Sequence, residues 1–234
     1  MNDSDTHHYS DRLIKKLESL DTQHTLDFGL INKAIDWVKK YHDGQFRKSG
    51  EPFYTHPLEV AYMIADHKLK TDVIVASILH DIIEDTEVTF EMILEEFGSW
   101  IAEMVDRLTR DRPDGTKLSI QQIIENAYKH SDNEVLLIKL MDRAHNLNTA
   151  RFKSPEKIKI LVEETLDNFI ILAAYLENFE YEQDIGKLCI LLSEIEFSDK
   201  KMPSLSVRDD LYQLPALDFR NEINQIYNPI PQEA

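Results

Sequence analysis

Residues 73–85 read VIVASILHDIIED. Apolar Val73, Ile74, Ala76, Ile78 and Leu79 lead into His80-Asp81-Ile82-Ile83-Glu84-Asp85, a pattern that predicts one helix, broken by Thr86 to Thr89. On such a helix Asp81, Glu84 and Asp85 stand at i, i+3 and i+4, so three carboxylates share one face. Like charges this close repel, and the apolar turns before them offer no compensation. A cation near the start of the acidic stretch would offset the repulsion; an exposed acidic helix end is the alternative.

Working outward, Phe28, Ile31, Ile35, Val38 and Tyr41 recur at three- and four-residue spacing, which predicts a helix over about 26–41. It runs out at Gly44, and residues 44–56 (GQFRKSGEPFYTH), with two glycines and a proline, read as a constrained loop. Helix resumes near Pro57, which suits a first helical turn. A helix over 9–20, two short helices flanking Gly98, a polar turn at 111–116 (DRPDGT) and helices over roughly 117–130, 133–150 and 155–177 complete the expectation. Four of the eight prolines follow residue 200, so the tail reads as loops and short helices.

The motif at 80–85 has a counterpart. Asp142, Asn146 and Thr149 lie at i, i+4 and i+7 behind the apolar strip Val135, Leu136, Ile138 and Leu140. His145 and Arg143 interrupt that run, and an ordinary surface position is one reading open to either. His56 ends the constrained loop, where a rigid backbone would hold an imidazole still; a capping or core histidine is the plainer reading. Together His56, His80, Asp81 and Asp142 would supply two imidazoles and two carboxylates, a set suited to Mn²⁺, Fe²⁺ or Zn²⁺ and not diagnostic among them.

Composition sets the surroundings. A chain of 234 residues, 42% hydrophobic and 29% charged with only six glycines, can bury one sizeable core and favours an α-rich globule. There is no apolar run behind a basic start and no stretch of 18 apolar residues, which implies neither export nor a membrane span. The lone Cys189 reads as a small buried hydrophobe in a reducing cytoplasm. A formal charge of −17 argues against nonspecific nucleic-acid binding. A polyanionic ligand would need a local basic patch. Arg47 with Lys48 offers one, and Lys139, Arg143, Arg151, Lys153, Lys157 and Lys159 offer another, unless these line a solvated helix face.

The ordered run His42-x-Gly44-Gln45-x-Arg47-Lys48-Ser49-Gly50-Glu51-Pro52-Phe53-x-x-His56-Pro57 resembles the start of the hydrolase domain of RelA/SpoT-type alarmone enzymes. The resemblance continues through Leu79-His80-Asp81-Ile82-Ile83-Glu84-Asp85-Thr86, Phe97-Gly98, Leu108-Thr109, Ile138-Lys139-Leu140-x-Asp142-Arg143-x-His145-Asn146 and Glu164-Thr165-Leu166, and so covers about 30–178. It implies an all-α, HD-type helical bundle. It also implies a metal, commonly Mn²⁺, held by His56, His80, Asp81 and Asp142. Glu84 and Asp85 would position and activate water, and Arg47, Lys48, Ser49, Asn146 and Thr149 would hold the nucleotide. The chain departs from the family at Val105-Asp106-Arg107-Leu108-Thr109-Arg110, where the usual pattern is Val-x-Gly-Val-Thr-Lys, a change that bears on the 111–116 loop rather than the metal set.

The implied organisation is an N-terminal helical extension over 1–25, the hydrolase domain over 26–178 and a helical to irregular extension over 179–234, with no room for a nucleotide-synthesising domain. The implied activity is hydrolysis of the 3′-pyrophosphate of guanosine tetraphosphate or pentaphosphate to GDP or GTP plus pyrophosphate. The alternatives are the same chemistry on an adenosine alarmone or NADPH, and a nucleotide sensor without turnover. The implied partner is a small-molecule nucleotide, with neither nucleic acid nor membrane.

Overall fold

The structure, a computed structural model, describes residues 3–67, 70–111, 115–176, 184–190 and 192. Every named element among them is helical, as the sequence led us to expect. Two isolated β-bridges, Phe46 with Pro52 and Asp111 with Lys117, pinch off the two loops. The chain forms two compact units, residues 1–152 and 153–234.

The first unit is built around α4 (Thr71–Leu79), whose residues Val73 to Leu79 are all buried. A helix apolar on every side has to be enclosed, and α4 packs against α2 (Phe28–Tyr41), α3 (Thr55–Ile64) and α7 (Ser99–Leu108). The predicted stripe on α2 is the buried one, with Ile31, Ala34, Ile35 and Val38 inside, and Asp27 caps its start by accepting from Leu30 N–H at 3.0 Å. α1 (Asp3–Leu20) lies on α3, and α3 also packs on α9 (Asn133–Asn148).

The remaining elements follow local rules. α6 (Phe90–Phe97) is capped by Thr89 and stops at Gly98, whose φ of 86° favours glycine. α8 (Ile120–Lys129) opens with a full capping box between Ser119 and Gln122, and packs on α9. Residues 112–114 of the expected polar turn lie outside the described residues.

Two expectations need correction. The helix expected to run from Val73 to Asp85 is interrupted: α4 ends at Leu79, His80 caps it, and Asp81 at φ −104°, ψ −4° opens the single turn α5 (Ile82–Asp85). Asp81 lends its side chain to the histidines and its carbonyl to the N–H groups of Glu84 and Asp85, both at 3.1 Å. α3 starts two residues before Pro57, so His56 sits inside the first helical turn and not at the end of a loop.

In the second unit, Pro155 stands in the first turn of α10 (Pro155–Glu164). The single helix expected over 155–177 passes through a π-helical turn (Thr165–Phe169), where Ile170 N–H reaches Thr165 O, before α11 (Ile170–Tyr175). Cys189 is buried, as expected of a small hydrophobe. The tail expected after residue 200 lies outside the described residues.

Candidate metal centre

Three helices converge on one point. His56 comes from the first turn of α3, His80 from the end of α4 and Asp142 from the middle of α9, all belonging to the first unit. One ligand atom from each lies within 4.8 Å of the others. Asp81 completes the set: its Oδ2 is 3.3 Å from His56 Nε2 and 3.2 Å from His80 Nε2. Asp142 Oδ1 is 3.1 Å and 3.7 Å from the same two nitrogens.

The hydrogen bonds around this cluster aim it. His80, fully buried, shares its Nδ1 with the Ser77 carbonyl at 2.8 Å. A carbonyl only accepts, so Nδ1 carries the proton and Nε2 is left toward the carboxylates, buried and without a hydrogen-bond partner. Asn146 Nδ2 donates to Asp142 Oδ1 at 2.6 Å and fixes that carboxylate. An orphaned buried imidazole nitrogen facing two half-buried carboxylates is a fit for a divalent cation. Burial disfavours the charged ring, but Asp81 and Asp142 outweigh it and push His80 up to about 10, so the carboxylates that would draw a cation also favour positive charge on this ring. His80 and His56 in turn hold the Asp81 and Asp142 carboxyls below the ordinary range against the opposing effect of burial.

The acidic pair beside the cluster is divided. Glu84 accepts a hydrogen bond from the backbone N–H of Arg110, just past the end of α7. Asp85 is exposed at the rim, yet desolvation, Asp81 and Glu84 together push its carboxyl up to about 6. The three carboxylates of the acidic motif are therefore not stacked on one helix face, because the break at Asp81 turns them to separate partners.

The constrained loop is held from several sides. Arg47 N–H donates to Glu51 O at 2.8 Å, Phe53 N–H to Gln45 O at 2.9 Å, and Gln45 Nε2 to Asp85 O at 2.9 Å. Gly44 and Gly50 take φ of 73° and 90°. Arg47 reaches across to α9, with Nη2 3.0 Å from Thr149 Oγ1 and Nη1 3.2 Å from His145 Nδ1. Lys48 is exposed, and Ser49 Oγ sits 3.4 Å from Glu51 Oε2.

Some residues were misjudged in sequence. His145, for which a surface position was one open reading, is half-buried with its Nδ1 2.8 Å from His56 Nδ1. Burial, His56 and Arg47 push it down to about 2, so the ring is neutral. Lys139 and Arg143, counted in the basic patch, are buried. Tyr9, on α1, was not singled out in sequence; it donates from its hydroxyl to Glu51 Oε1 at 3.3 Å and so touches the loop that carries Arg47. These contacts span 42 to 98 residues and leave no local spacing to read.

A model of the HD domain matches residues 34–177, well over half of the chain. The chain belongs to the HD domain family. HD domains bind divalent metal ions, and the cluster of buried His56 and His80 with half-buried Asp142 fits that property. Among curated relatives, the GTP pyrophosphokinase of Myxococcus xanthus is 41% identical over 155 residues, covering 63% of this chain and 20% of its own. The guanosine-3′,5′-bis(diphosphate) 3′-pyrophosphohydrolase of Haemophilus influenzae is 42% identical over 139 residues, covering 56% and 20%. The bifunctional (p)ppGpp synthase/hydrolase SpoT of Escherichia coli is 37% identical over 165 residues, covering 68% and 23%. The chain thus spans about a fifth of the length of these relatives. A solved structure, that of a metazoan ortholog of SpoT described as hydrolysing ppGpp, aligns with a TM-score of 0.50 at 23% identity over 71% of this chain and 97% of its own, a likeness of fold. Among the described residues of this HD domain protein, no helix is long and apolar enough to cross a membrane.

Proposed function

We propose that the chain hydrolyses the 3′-pyrophosphate of guanosine tetraphosphate and pentaphosphate, with Mn²⁺ as the divalent ion and His56, His80, Asp81 and Asp142 as its ligands. The observation that carries this reading is the orphaned Nε2 of His80, buried and set beside the Asp81 and Asp142 carboxylates. The names of the relatives from Haemophilus influenzae and Escherichia coli point to the same reaction.

When bound, a divalent ion supplies positive charge that lowers the pKa of water and offsets the charge of phosphoryl oxygens. The protein's own groups would do the rest. One oxygen of Glu84 is occupied by Arg110 N–H, which fixes the carboxylate and leaves the other oxygen to take a proton from the attacking water. Asp85, pushed up to about 6, is poised to share that proton near neutral pH. Arg47, planar and permanently charged, is held by Thr149 where it can clamp a phosphate or stack on the purine, while Lys48 is an exposed point charge. Ser49, Asn146 and Thr149 add hydrogen-bonding groups for ribose or phosphate. The water oxygen joins the inner phosphoryl group, the one bonded to the ribose 3′-oxygen; that bond breaks, the 3′-oxygen takes up a proton to become a hydroxyl, and pyrophosphate leaves with GDP or GTP as the other product.

A substrate panel tests the choice of nucleotide. With Mn²⁺ present, kcat/KM should be highest for guanosine tetraphosphate among that compound, its adenosine counterpart and NADPH. Turnover of either of the others with none of the guanosine compound would overturn the assignment.

A further inference from the structure

The Nδ1 atoms of His56 and His145 lie 2.8 Å apart, a hydrogen-bond distance at which only one of the two can carry the proton. Arg47 decides which. Its Nη1, an obligate donor, stands 3.2 Å from the same His145 Nδ1, and a proton there would face it. His145 Nδ1 is therefore a lone pair, and the proton between the two rings belongs to His56 Nδ1. That leaves His56 Nε2 bare, 3.1 Å from Asp142 Oδ1 and 3.3 Å from Asp81 Oδ2.

We propose that His145 is a positioning residue of the metal centre: braced by Arg47, it accepts the Nδ1 proton of His56 and holds that ring in the tautomer and orientation that present Nε2 to the cation. This rests on the metal-centre reading above. Metal-binding histidines ordinarily give their second ring proton to a carboxylate, a backbone carbonyl or water. Here the acceptor is a second imidazole, whose own direction is set by a loop residue 98 positions away. The position of Arg47 is in turn secured by Thr149, which accepts from Nη2 at 3.0 Å and passes its own hydroxyl proton to the His145 carbonyl at 3.0 Å. A residue of the substrate loop thus takes part in shaping a metal ligand it does not touch.

The test is Mn²⁺ affinity of the full chain, measured without substrate by competition against a chromophoric chelator. His145→Leu removes the acceptor and should weaken Mn²⁺ binding by roughly 10- to 100-fold, the range for lost partners of metal ligands. His145→Asn places an amide oxygen near the position of Nδ1 and should bind within about threefold of wild type, a rescue that mere filling of space would not produce. Leucine binding as tightly as wild type, or asparagine as weakly as leucine, overturns the inference. A readout on the unaltered chain guards against misfolded variants: in the Zn²⁺-loaded protein, nitrogen NMR should place the shared proton on His56 Nδ1 with a coupling across to His145 Nδ1. A proton found on His145 Nδ1 overturns it equally. Wild type that binds no Mn²⁺ at all would remove the metal-centre reading and this inference together, whereas an unaffected leucine variant removes only the inference.

Discussion

Glu84 accepts a hydrogen bond from the backbone N–H of Arg110 across 26 residues, so a carboxylate of the acidic motif is tied to the segment where this chain departs from the family pattern. The tie uses one carboxylate oxygen and leaves one free. Glu84→Gln keeps an oxygen for Arg110 and replaces the other with an amide, so the tether survives and the base does not. The Mn²⁺ content should be unchanged while kcat falls by about 10²-fold or more, the scale of a lost general base. Metal analysis paired with steady-state kinetics checks this, and loss of the metal would make Glu84 a ligand instead.

His80 sets the pH behaviour of the metal-free protein. Its pKa is pushed up to about 10 from an ordinary 6.5 because Asp81 and Asp142 outweigh burial, so near neutrality the Nε2 that would meet a cation holds a proton. Cation binding at pH 7.5 should therefore release about one proton, and affinity should rise about tenfold per pH unit up to that pKa. Titration calorimetry in buffers of different ionisation heat reads the released proton. The raised pKa also means that this group's contribution to stability is complete below 6.5 and is lost as pH rises through about 10. The metal-free chain should thus lose stability over that window, and the metal-loaded chain should not.

Tyr9 reaches Glu51 from α1, and its hydroxyl stays protonated because burial, Glu51 and Glu59 push it up to about 12. Tyr9→Phe removes the hydroxyl that bonds Glu51 of the substrate loop. KM for the nucleotide should rise by up to about tenfold, the worth of one hydrogen bond, with kcat and metal content little altered. An unchanged KM would leave α1 a packing element alone.

Chelation should abolish turnover, and Mn²⁺ should restore it better than Mg²⁺, since two imidazole donors suit a softer ion than the oxygen-only surroundings Mg²⁺ prefers. Rates measured across a metal series after chelator treatment check the order, and equal rescue by both ions would argue against imidazole ligation.

Much of this was legible in the chain because it rests on local periodicity. The stripe of Ile31, Ile35 and Val38 marked α2, and the apolar run from Val73 marked the most buried helix. His56, His80, Asp81 and Asp142 were picked out by the resemblance of their motifs to the alarmone hydrolases, since spacing alone left plainer readings open, and the structure brings them within a few ångströms. What stayed hidden depends on contacts between distant segments. The break at His80-Asp81 answers to His56 on another helix, and residues 80–85 alone hold no signal for it. A surface reading stayed open for His145 because its partners, Arg47 and His56, come from a loop and a helix start some 90 residues earlier. Lys139 and Arg143 looked solvated because lysine and arginine usually are.

The most direct test is to incubate the purified chain with Mn²⁺ and guanosine tetraphosphate and resolve the products by ion-exchange chromatography. Equal amounts of GDP and pyrophosphate, formed with Mn²⁺ and absent in excess chelator, are the predicted result; an intact substrate in the Mn²⁺-loaded protein, or the same products in a sample shown to be free of metal, would contradict it.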